Sequence, residues 1–140
     1  VTAEAIAMDI RPLSHAVAVS PQLQPEDLEA ARARGFRSIL CNRPDQEEPG
    51  QPPFEVLAQA ADAAGLVARY QPIRPGQIGP ADVAEFQRSL AELPGPVLAY
   101  CRTGTRCATL WARAQTEARS MTRPEVLQAT RNAGYELQGL

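Results

Sequence analysis

The chain is poor in the residues that open several common chemistries. It has one histidine, His15, and three cysteines, Cys41, Cys101 and Cys107, in 140 residues. A lone imidazole excludes the usual histidine-containing zinc spacings, and Cys-x5-Cys at positions 101 and 107 lacks the short paired spacing of a thiolate site. Three irregularly placed thiols are too few for the disulfide framework of a small secreted fold. His15 has no companion and stands ahead of the first strand, so it reads as a surface or capping residue rather than a base. The sequence therefore calls for no metal and no other cofactor.

Charge of one sign is also missing. The 14 Lys and Arg against 16 Asp and Glu leave a formal net charge of −2. That balance gives no general pull towards nucleic acid or an anionic membrane, so any affinity for anions has to be local. No apolar run approaches the ~18 residues of a membrane helix. No signal peptide is visible, which points to a cytoplasmic protein. Neither a repeat nor a linker divides the chain. What remains, 44% hydrophobic and 21% charged residues, suits one soluble domain with a proper core. That domain is expected to span 8–140, with residues 1–7 a leader or remnant of no structural role. Association into a homo-oligomer is left open.

Apolar runs alternate with helical spacing. Val17–Ser20 reads as a first strand, and Pro25 opens a helix with Glu26 and Asp27 in its first turn, where the helix dipole favours acids. Gly35 ends that helix, and Phe36–Cys41 is the second strand. A polar loop, Asn42–Gly50, leads to a helix opening at Pro52-Pro53 and closing at Gly65, with Phe54, Leu57, Ala61 and Ala64 at helical spacing. Leu66–Gln71 is the third strand, and Pro72–Gly79 is too rich in proline and glycine to be regular. A helix follows from Pro80 with Val83, Phe86, Leu90 and Leu93 on one face, stopped by Pro94-Gly95-Pro96. The fourth strand is Val97–Tyr100. A helix from Cys107 then points Leu110, Trp111, Ala114 and Ala118 at the core, and Thr122-Arg123-Pro124-Glu125 caps a last helix. The alternation predicts an α/β fold with a mostly parallel sheet of four to five strands, flanked by helices. Ligands of such sheets bind beyond the carboxyl ends of the strands. Three loops meet there: 42–50, 72–79 and 101–106.

The third of these loops carries the chemistry. Tyr100-Cys101-Arg102-Thr103-Gly104-Thr105-Arg106-Cys107 joins a strand to a helix start, a geometry that gathers backbone N–H groups around one point. A cysteine first in such a loop is favoured as thiolate, the nucleophilic form. Cys101 is therefore the expected nucleophile. Gly104 allows positive φ and turns amides inward. Arg106, at the helix mouth, can grip two oxyanions with its planar fork. Arg102 either shares that work or faces solvent, while Thr103 and Thr105 mainly supply backbone N–H. Cys107 is a packing residue or a resolving thiol, and Cys41 is core filler that ends a strand at the same edge. Asp45 or Glu47 of the 42–50 loop is placed to act as general acid, unless Arg43 and Asp45 merely pair. Arg74 adds charge to the rim or is simply exposed, and Asp82 reads as a helix-start acid.

Three segments, Asn42-Arg43-Pro44-Asp45-Gln46-Glu47-Glu48, Pro72-Ile73-Arg74-Pro75-Gly76-Gln77-Ile78 and Tyr100–Arg106, together resemble the phosphatase-like domain of β-lactamase-hydrolase-like proteins. That family is a branch of the cysteine-dependent, dual-specificity-like phosphatase fold. The resemblance extends over nearly the whole chain from Met8. It implies hydrolysis of a small phosphoester or phosphoprotein through a phosphocysteine on Cys101, with the loop amides and Arg106 on the oxyanions. The chain departs from the superfamily pattern in three places. Arg106 follows the cysteine by five residues rather than six; Cys107 stands where a Ser or Thr hydroxyl is usual; and the 72–77 segment carries no acid. The loop is also similar to that of single-domain rhodaneses, which implies sulfur transfer from a Cys101 persulfide, although the Gly-His-Ile segment of rhodaneses is absent. A third class is a non-catalytic anion-binding or thiol-redox sensor.

Overall fold

The computed structural model describes residues 8–137; the leader assigned to residues 1–7 and the last three positions of the expected domain lie outside them. In chain order the elements are β1 (Arg11–Pro12), β2 (Val17–Ser20), a 3-10 turn at Pro25–Asp27 running into α1 (Leu28–Ala33), and β3 (Ser38–Cys41). Then follow α2 (Phe54–Ala63), β4 (Val67–Tyr70), α3 (Pro80–Glu92), β5 (Val97–Tyr100), α4 (Thr105–Glu117) and α5 (Arg123–Asn132). The sheet order is β1-β2-β5-β3-β4, parallel except for β1. The chain thus has the expected mixed fold with five strands. β1, too short to carry a periodicity and half proline, is the strand that the sequence pattern missed.

β2, β5 and β3 are buried along their whole length, because helices cover both faces of a parallel sheet. Side chains alternate between those faces. Val97, Ala99 and Cys101 join the core of Val83, Phe86, Leu110, Trp111 and Val126, supplied by α3, α4 and α5. Leu98, Tyr100 and Cys41 join the opposite core, with Leu28, Ala31, Leu57 and Ala61 from α1 and α2. One consequence is that Cys41 lies on the other side of the sheet from Cys101 and Cys107.

The register sets the site. Ser20 and Cys41 both pair with Tyr100, and Cys41 pairs with Tyr70, so the carboxyl ends of four parallel strands finish level. The three loops named above leave from that level. Two local expectations need correction. α4 begins at Thr105 rather than Cys107, which puts Arg106 and Cys107 in its first turn. Ala118 caps α4 and is exposed, since the core-facing stripe ends at Ala114. Among the described residues no helix is long and apolar enough to cross a membrane.

Candidate active site

Cys101 lies at the floor of the loop, 1% exposed. Its Sγ accepts the Gly104 N–H at 3.1 Å. Gly104 manages this in the left-handed region, at φ +92°, as the residue that caps α4. The backbone N–H groups of Arg102, Thr103 and Arg106 have no acceptor among the described residues, as befits a loop and first helical turn open to an external anion. The Thr105 N–H is held by Thr103 Oγ1 at 3.4 Å, and the two hydroxyls bond each other at 3.1 Å.

These surroundings pull the Cys101 thiol down from the ordinary 9.0 to about 6. The Cys107 thiol beside the sulfur is the largest cause; burial opposes it, and the Cys107 and Gly104 amides and the Arg106 charge add to it. Cys107 itself is pushed well above 9.0, by burial and by the sulfur beside it. It stays protonated. Burial pushes Cys41 up to about 11, and its Sγ–H donates to the Arg43 carbonyl at 3.3 Å.

Arg106 is fixed from two loops. Its Nη1 and Nη2 donate to Glu47 Oε2 and Oε1 at 2.9 and 3.1 Å, and Nη1 also donates to the Ile73 carbonyl at 2.9 Å. That leaves the Nε and second Nη2 hydrogens, one edge of the fork, without an acceptor among the described residues. Glu47 in turn accepts from Arg43 Nε at 2.9 Å, and Arg43, 2% exposed, also holds Glu48 at 2.7 Å and Gln22 Oε1 at 3.0 Å. Burial works to raise the Glu47 carboxyl, but the two guanidiniums outweigh it and hold it below the usual carboxylate range. Glu47 is therefore an ionised positioning residue. Glu47→Gln keeps the shape and removes the charge, and should cost about 2 kcal/mol of stability. With Arg106 released, turnover should fall roughly 100-fold; thermal melts and steady-state rates check both.

The structure does not bring Asp45 to the cradle. Its Oδ1 accepts the Phe54 N–H at 2.8 Å, at the start of α2, whose own capping position is Pro53 and offers no side-chain oxygen. Asp45 is spent on that helix end. Asp82 likewise accepts the Gly79 N–H at 2.9 Å and closes the start of α3. Arg74 and His15 are exposed, and neither lines the cleft.

Over the cradle opens a cleft of about 780 Å³, with Arg43, Glu47, Glu48, Arg102, Arg106 and Arg113 as its charged lining. The 72–79 loop contributes Pro75, Gly76 and Ile78 to its wall. The Arg102 side chain is 62% exposed, 3.7 Å from Glu48, whereas that of Arg106 is 9% exposed, so Arg106 is the inner of the two. Sequence reasoning missed Tyr135, whose Oη donates to the Thr103 carbonyl at 3.1 Å and props the loop from behind. A signal existed: Ala133-Gly134-Tyr135 repeats the helix-ending junctions at Gly35 and Gly65. No strand follows it among the described residues, so the aromatic turns inwards. Among the described residues no group of three His, Cys, Asp or Glu side chains is placed to hold a metal.

The family model of the beta-lactamase hydrolase-like protein, phosphatase-like domain, matches residues 9–118. The chain belongs to this family. The chain is similar to part of the beta-lactamase hydrolase-like proteins of Agrobacterium fabrum, 34% identical over 89% of this chain, and Xylella fastidiosa, 35% identical over 93%. The chain spans only 29% and 30% of those two proteins. A solved candidate phosphatase, nma1982 of Neisseria meningitidis Z2491, superposes with a TM-score of 0.84 at 38% identity, covering 94% of this chain and 92% of that one. The BLH phosphatase-like match ends at Glu117-Ala118, so Tyr135 and α5 buttress the loop from beyond it.

Proposed function

We propose that this domain, residues 8–140, is a cysteine-dependent phosphatase working through a phosphocysteine on Cys101. The observation that carries the reading is a buried sulfur that accepts the Gly104 N–H at 3.1 Å at the foot of a loop whose Arg102, Thr103 and Arg106 amides are open, beside an arginine whose outer edge is free. In the first half-reaction the thiolate attacks phosphorus, and the loop N–H groups and the Nε/Nη2 edge of Arg106 hold the equatorial oxygens. In the second, water attacks phosphorus and the sulfur departs. Departure is eased because the Cys107 thiol is already placed to stabilise the returning thiolate.

Substrates are accordingly phosphoesters, as small molecules or on proteins. Sulfur transfer draws no support from the family, a phosphatase-like domain, or from the solved Neisseria structure named above. The deciding experiment is an acid quench during turnover of p-nitrophenyl phosphate, followed by peptide mass analysis. A phosphoryl adduct on Cys101 is expected, and an adduct elsewhere or none at all overturns the mechanism. The rate should fall as pH drops through about 6, because protonation removes the nucleophile. An acid limb centred near the ordinary thiol value would contradict it.

A further inference from the structure

We infer that the substrate of this site is an organic diphosphate, cleaved at its phosphoanhydride bond, with the terminal phosphoryl group in the Cys101 cradle and the second phosphate as leaving group. This rests on the phosphocysteine reading above and moves the bond that is cleaved from an ester to an anhydride.

Two independent features of the cleft carry the inference. The first is the state of its acids. Glu47 and Glu48 are the only carboxyl side chains that line it among the described residues. Glu47 is clamped between Arg43 and Arg106, and Glu48 is bound by Arg43 at 2.7 Å. A carboxylate whose oxygens already accept from guanidiniums has no proton to give. Asp45, the other acid of these loops, and Asp82, in the first turn of α3, are turned to helix starts. A simple alkyl ester needs a proton on its leaving oxygen, since an alkoxide is about as basic as hydroxide. A tyrosyl oxygen, with a pKa of ~10, still gains from one. A phosphate monoester leaving group, whose second ionisation lies near ~6, departs as the dianion with no donor. Of these bonds, the anhydride is the one that this cleft can break at full rate.

The second feature is charge beyond the cradle. Arg106, Thr109 and Arg113 lie at i, i+3 and i+7 along α4 and line the same wall. Seven residues of helix carry Arg113 about 10 Å from Arg106, too far to share one phosphate's inner oxygens. The Arg113 side chain is anchored through Nη1 to the Ile78 carbonyl at 3.0 Å. Arg102 stands on the cradle loop, 62% exposed and with only a 3.7 Å approach from Glu48. The cleft is thus lined by four guanidiniums, of Arg43, Arg102, Arg106 and Arg113, against the carboxylates of Glu47 and Glu48, an excess of positive charge that the second phosphate of a diphosphate answers.

The step balances without a co-reactant other than water. The Cys101 thiolate forms the S–P bond as the bridging P–O bond breaks, and that electron pair leaves on the bridging oxygen. Water then attacks phosphorus, gives a proton to solvent, and the S–P pair returns to sulfur. Two phosphates leave for each diphosphate and water consumed.

The test compares kcat/KM of the intact chain for pyrophosphate, p-nitrophenyl phosphate and glycerol phosphate, with Cys101→Ser as control. Because a missing general acid forfeits about 10²- to 10⁴-fold on alkyl leaving groups, pyrophosphate should exceed glycerol phosphate by roughly 100-fold or more. Arg113→Gln should raise KM about 10-fold for pyrophosphate, and by much less for p-nitrophenyl phosphate. Glycerol phosphate turned over within about 10-fold of pyrophosphate, with the dependence on Cys101 intact, overturns the anhydride assignment and leaves the phosphatase standing. Turnover that survives Cys101→Ser, or no turnover of any of the three, overturns the parent reading instead.

Discussion

Cys101→Ser is expected to lower aryl phosphate turnover by more than about 10⁴-fold, the scale of loss when a nucleophile is removed from an assembled site. The substitution changes one atom in a position that is 1% exposed, so the fold should survive and the loss belongs to chemistry. A serine hydroxyl is not ionised by the contacts that ionise this sulfur. The Gly104 amide, which donates to the sulfur, would face a neutral group. The same contacts tie stability to pH. A thiol that titrates near 9.0 unfolded and about 6 folded stabilises the fold fully above the former value. That contribution shrinks as pH falls and is lost below the latter. Wild type should therefore gain thermal stability relative to Cys101→Ser between pH 6 and pH 9. A melting-temperature difference that stays flat across that range would mean that the sulfur is not held as thiolate.

Much of this site could be read in the residue order, for a physical reason. Strand, glycine-containing loop and helix start are local features, and Tyr100–Cys107 holds all three within eight residues. The level strand ends follow from parallel pairing, which the alternation of strands and helices already implied. The partners of the acids could not be read, because they are long-range choices between equivalent candidates. Asp45 and Glu47 stand two residues apart in one polar loop. The structure gives one to the start of α2 and the other to two guanidiniums. What separates them is that Pro53 cannot cap its own helix, a need that becomes visible only when loop and helix are seen together. Tyr135 was hidden for a similar reason: it reaches Thr103 across 32 residues of chain. The thiol at 107 looked like a departure from a hydroxyl pattern and in the structure is buried in the same cluster as Cys101, where it helps to hold that sulfur's pKa down.

Gly104→Ala tests whether this back support shapes the loop. The backbone there has φ +92°, which costs a residue with a Cβ about 1–2 kcal/mol. The added methyl would collide with the Tyr135 Oη, stand 3.0 Å from its Cζ and 3.5 Å from the Ser20 carbonyl carbon. Overpacking of this kind costs a further 1–3 kcal/mol or so. Tyr135 is 6% exposed and carries the Arg11 guanidinium 5.1 Å from its ring centre, so it cannot simply swing away. The loop yields instead, and the Gly104 N–H leaves the Cys101 sulfur. The expected result is a melting temperature lower by about 10 °C and turnover lower by more than roughly 100-fold. The double variant Gly104→Ala/Tyr135→Phe separates the two causes. Removing the hydroxyl relieves the worst contact but not the left-handed strain, so the double variant should be more stable than Gly104→Ala alone, even though Tyr135→Phe by itself loses the bond to Thr103. Simple addition of the two single losses would show that the methyl and the hydroxyl never meet, and the loop would then owe its shape to Gly104 alone.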